Sequence, residues 1–75
     1  MTYQQDNGLY EMWAVSSNPA EFFDYTGETS NERCLLSTSF RRMANEEFAN
    51  RVRKNYQHKL VMYNPDGEIV AVYRP

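Results

Sequence analysis

The sequence predicts an α+β fold: one mainly antiparallel sheet of three to four strands, ending in a C-terminal hairpin and packed against one longer helix, with a short helix near Pro19–Tyr25. Three observations carry this expectation. Lys59–Tyr63 and Glu68–Tyr73 are β-rich runs joined by the turn-forming residues Asn64-Pro65-Asp66-Gly67. Between Asn45 and Gln57, the residues Phe48, Ala49, Val52 and Tyr56 fall within about 100° of arc at helical periodicity. Upstream, an apolar run is followed by the helix-start pattern Asn18-Pro19-Ala20-Glu21.

In chain order, Gly8–Ser16 holds Leu9, Tyr10, Met12, Trp13, Ala14 and Val15, which suit a strand although strict alternation is broken. Asn18 then offers a cap, Pro19 a first helical residue and Glu21 a capping-box partner, with Gly27 as a stop, so a short helix over Pro19–Tyr25 is expected. Thr26–Glu32 reads as a polar loop. Residues 37–43 are open to a strand or a helix reading; the one adopted is a strand from Arg33 through Ser37 and a helix from about Phe40. Asn45 can cap the amphipathic segment. Glu46 and Glu47 suit its positive end, Arg51, Arg53 and Lys54 its negative end, and Glu47 with Arg51 forms an i,i+4 pair.

At the hairpin, Pro65 presets φ, and Gly67 supplies the left-handed residue of a turn closed by a bulge. That geometry pairs Asn64 with Glu68, Tyr63 with Ile69, Met62 with Val70, Val61 with Ala71 and Leu60 with Val72. Alternation then gives a core face of Leu60, Met62, Val70 and Val72. The other face carries Lys59, Val61, Tyr63, Ile69, Ala71 and Tyr73.

Seventy-five residues make one domain with a thin stability margin. A single cysteine excludes an internal disulfide, and one histidine leaves no Cys/His zinc cluster, so the core must come from packing, with a homodimer as one way to extend it. Trp13, four Phe and six Tyr supply much of the apolar area and favour a folded chain over disorder. No run approaches the ~18 apolar residues of a membrane span, and Met1-Thr2-Tyr3-Gln4-Gln5-Asp6 lacks a signal-peptide layout. A soluble, cytoplasmic protein is expected. Cys34, beside Leu35 and Leu36, is expected to pack as a small hydrophobe.

Chemistry is sparse. His58 reads as a surface linker residue, and no local spacing supports a Cys34–His58 nucleophile and base. Glu46-Glu47 and Asp24 with Glu28 are better explained as solvated charges than as acid–base pairs. Asp66-Gly67-Glu68 lacks the repeated ligands of a calcium loop, and the isolated Gly8, Gly27 and Gly67 make no phosphate loop. A non-enzyme without cofactor or metal is the expectation.

The charges, however, are divided. Residues 1–32 hold Asp6, Glu11, Glu21, Asp24, Glu28 and Glu32 and no Lys or Arg, whereas every one of the eight basic residues lies in 33–75, and the net charge is −2. Together with abundant aromatic residues, this favours a protein-binding module that presents an acidic, aromatic surface through Asp24, Tyr25, Glu28, Glu32, Tyr63 and Tyr73. Its size and composition suit a small phage- or mobile-element-type inhibitor of a host protein. The alternative is nucleic-acid binding, with Arg41, Arg42, Arg51, Arg53 and Lys54 as a basic stripe and Tyr63 and Tyr73 stacking bases. A pI near 5.2 weighs against it.

Overall fold

The structure, a computed structural model, describes residues 8–75; Asp6 and the N-terminal hexapeptide considered above lie outside them. Its elements are β1 (Tyr10–Val15), β2 (Phe22–Phe23), β3 (Thr29–Ser30), β4 (Glu32–Thr38), α1 (Arg41–Arg53), β5 (Lys59–Tyr63) and β6 (Ile69–Tyr73). Four strands form an antiparallel sheet in the order β4-β1-β5-β6, and β2 pairs with β3 in a separate small hairpin. The expected α+β fold is therefore present.

The expected short helix is not. Asn18 to Glu21 forms a single turn instead, in which the Glu21 amide donates to the Asn18 carbonyl at 3.2 Å and the Ala20 amide to the Asn18 side chain at 2.9 Å. The capping residues are real, but the segment is too short to offset the cost of helix nucleation. Phe22 and Phe23 instead pair with Ser30 and Thr29. The expected loop at Thr26–Glu32 thus holds part of the turn and the second strand of a hairpin, and its last residue, Glu32, opens β4.

That hairpin turns on the same device as the C-terminal one. Asn64 Oδ1 accepts from the amides of Asp66 and Glu68 at 3.0 and 2.9 Å, and Gly67 sits at φ +83°. Asp24 Oδ1 accepts from the amides of Thr26 and Glu28 at 2.8 and 3.0 Å, and Gly27 sits at φ +87°. Both are Asx-x-x-Gly-Glu turns in which a side-chain oxygen replaces a backbone acceptor and glycine takes the left-handed position. Gly27 closes this turn; it does not stop a helix.

Helix α1 begins after Phe40, whose amide donates to Thr38 Oγ1 at 3.1 Å. Asn45 is consequently an interior residue and not a cap, and no acid occupies the first turn. The helix ends at Arg53, short of Gln57. There the Asn55 amide donates to the Val52 carbonyl, the Tyr56 amide donates to the Arg51 carbonyl, and Asn55 is left-handed at φ +54°. This is a Schellman stop with asparagine at the left-handed position. Ala44 and Phe48 face the sheet, while Ala49 is exposed, so the buried stripe lies slightly to one side of the expected one.

Met12, Ala14 and Leu60 are fully buried beneath α1, with Phe22, Leu35, Leu36, Phe48, Tyr56 and Tyr73 packed around them. Tyr63 pairs with Ile69 as expected, but a bulge follows, and the partners of Met62, Val61 and Leu60 are Ala71, Val72 and Tyr73. Since side chains alternate with period two, one extra residue exchanges the faces beyond it. Val72 turns outward and Tyr73 inward. Val70, taken as core from the sequence, is half exposed at the bulge.

The helix covers only one side of the sheet, and the described residues are 18 Å across in their shortest dimension. On the other side lie Glu11, Trp13 and Val15 of β1, Glu32 and Cys34 of β4, Lys59, Val61 and Tyr63 of β5, and Ile69 and Val72 of β6. Among the described residues no helix is long and apolar enough to cross a membrane.

Candidate functional site

Two adjoining grooves share Trp13 and Glu32 of the uncovered side. One runs along the β2–β3 hairpin at the β4 edge and takes in Phe22, Phe23, Asp24, Tyr25, Glu28 and Arg33. The other, about 310 Å³, takes in Leu9, Glu11, Tyr63 and Pro65 beside the C-terminal turn. The sequence-predicted residues Asp24, Tyr25, Glu28, Glu32 and Tyr63 are therefore brought onto one surface. Tyr73 is not: its ring packs on the core and its hydroxyl donates to the Tyr56 carbonyl at 3.1 Å.

The members of this surface are held in different ways. Asp24 is committed to its turn, and the Thr26 hydroxyl, donating at 2.6 Å, together with the turn amides holds its carboxyl below the ordinary 3.8 despite partial desolvation. Tyr25, at the tip, is fully exposed, and Phe23 is 63% exposed. Such aromatic exposure on a loop held at its base by Asp24 suits contact with a partner. Trp13 donates its indole N–H to Glu11 Oε1 at 2.9 Å, which holds the ring in the groove. Trp13, Glu11 and Phe23 were missed from the sequence, although Glu11 and Trp13, two apart in a strand, already had to share a face.

Cys34 departs from expectation, being exposed opposite Trp13. Desolvation of its thiol pushes the pKa above the ordinary value, against a smaller lowering effect from the Leu36 backbone. A raised thiol pKa lowers the thiolate fraction and hence reactivity. His58 departs too. It is no surface linker residue but is wedged edge-on between Phe22 and Tyr56, with Nε2 3.5 Å from Glu21 Oε2. It faces Glu21 and not Cys34.

The basic residues of the helix lie apart from these grooves, whereas Arg33 lines the hairpin groove, its guanidinium 5.8 Å from the Phe22 ring centroid, and Lys59 lies on the same side of the sheet as Trp13. Arg51 pairs with Glu47 at 3.0 Å and Arg53 donates to Asn50 at 2.6 Å, while Arg41, Arg42 and Arg53 are exposed on α1 and Lys54 is exposed just beyond its end. The charged residues lining the two grooves are four carboxylates, Glu11, Asp24, Glu28 and Glu32, and one guanidinium, Arg33. Comparison with protein-family models, curated proteins and solved structures finds no match to the chain.

Proposed function

We propose that this chain is a non-enzymatic, cytoplasmic protein-binding module whose acidic, aromatic sheet face docks on a basic surface of a partner protein, in the manner of a small phage- or mobile-element-type inhibitor. The observation that carries this reading is the sharing of Trp13 and Glu32 by two grooves, which joins the exposed hairpin tip to Tyr63 in one continuous surface. Aromatic anchors supply contact area at low entropic cost, and carboxylates at the rim speed encounter with a basic target. Glu28 and Glu32 form no ion pair among the described residues and are available to such a target. The nucleic-acid reading draws less support, because the two tyrosines it would use for stacking lie on opposite faces.

Reversing Glu28 and Glu32 together to Lys spares the turn-forming Asp24 and is expected to abolish partner capture that survives Arg51→Glu with Arg53→Glu. Capture unaffected by the first pair and lost with the second would overturn the assignment. Salt-dependent retention of oligonucleotides that disappears with the arginine variants would favour nucleic acid instead.

A further inference from the structure

We infer that the groove between Glu11, Trp13, Glu32 and Tyr63 is a socket for a single arginine side chain of the partner. This deepens the protein-binding reading and rests on it. The groove has aromatic surface from Trp13 and Tyr63, an apolar margin from Leu9 and Pro65, and only two charged lining residues, both carboxylates. Neither Glu11 nor Glu32 is in an ion pair among the described residues. Trp13 uses one oxygen of Glu11, leaving the other to accept from a guest. A cation entering here thus meets ring faces and two acceptors at once. Guanidinium fits better than ammonium because it is planar, stacks on aromatic rings, offers several N–H donors in a fixed fork and is more weakly hydrated. The space of about 310 Å³ admits one such side chain rather than an extended segment.

Trp13 is the only tryptophan, so its fluorescence reports this groove directly. The probe is Nα-acetyl-arginine methylamide, with the neutral citrulline and the cationic lysine analogues titrated in parallel at constant ionic strength. A saturable change with arginine, weaker with lysine and absent with citrulline, is expected. Glu11→Gln combined with Glu32→Gln should weaken arginine binding about five- to tenfold, with the far-UV circular dichroism unchanged. No saturable change with arginine, or equal binding of citrulline, would overturn the socket. Failure of the socket alone leaves partner capture sensitive to Glu28→Lys with Glu32→Lys; failure of the wider reading removes that sensitivity as well.

Discussion

The carboxylate of Asp24 accepts a hydrogen bond from the backbone amide of Glu28 at 3.0 Å, and the same oxygen binds the amide and hydroxyl of Thr26. One side chain therefore closes the hairpin that displays Tyr25. Because its folded pKa is depressed, its contribution to hairpin stability is complete above the ordinary 3.8 and is lost as pH falls through the lower folded value. Asp24→Asn keeps an acceptor but no titrating group, so this acid-induced opening should vanish. Asp24→Ala should open the hairpin at every pH. Carboxyl and amide shifts measured against pH test this, and titration of Asp24 at or above 3.8 would contradict it.

The bulge in β6 makes neighbouring positions respond in opposite ways. Val72→Lys, on the uncovered side, should change stability by no more than about 1 kcal/mol. Leu60→Ala, beneath the helix where Leu60 is fully buried, should cost about 2–5 kcal/mol. Urea unfolding separates the two, and a Val72→Lys cost as large as that of Leu60→Ala would restore the unbulged register.

Asn55 holds a left-handed backbone at the end of α1. Asn55→Gly should be neutral or stabilising, whereas Asn55→Val should cost about 1–2 kcal/mol through Cβ crowding. Thermal melts of the two variants decide it. A valine variant as stable as the glycine one would mean that the stop is held by contacts elsewhere.

His58 packs edge-on against two rings while its Nε2 is buried without a hydrogen bond. His58→Phe retains ring packing and removes the unsatisfied atom, so it should match or exceed the parent in stability. His58→Ala should lose about 1–3 kcal/mol. A phenylalanine variant as damaged as the alanine one would show that the 3.5 Å approach to Glu21 matters more than the rings.

Much of this fold is written locally. The Asn64–Gly67 turn, the strand at Gly8–Ser16 and the change from strand to helix near Phe40 each depend on neighbouring residues, and each is legible in the sequence. What escapes is set by one-residue offsets. The bulge at Val70 arises from how β6 settles on β5, and it alone separates Tyr73 from Tyr63. At Asn18–Glu21 the cap signals were legible but belong to a turn; the better clue was the match between Asp24-Tyr25-Thr26-Gly27-Glu28 and Asn64-Pro65-Asp66-Gly67-Glu68. The acidic surface was readable from charge division. Its aromatic members Trp13 and Phe23 needed the pairing of distant strands.

The central claim is that the acidic, aromatic side of the sheet is the binding side, and mapping the captured partner by NMR tests it most directly. With isotope-labelled protein, perturbations are expected at the Trp13 indole, Tyr63 and residues 23–32, with α1 little changed. Perturbations concentrated on Arg41–Arg53, with the Trp13 indole unmoved, would contradict it.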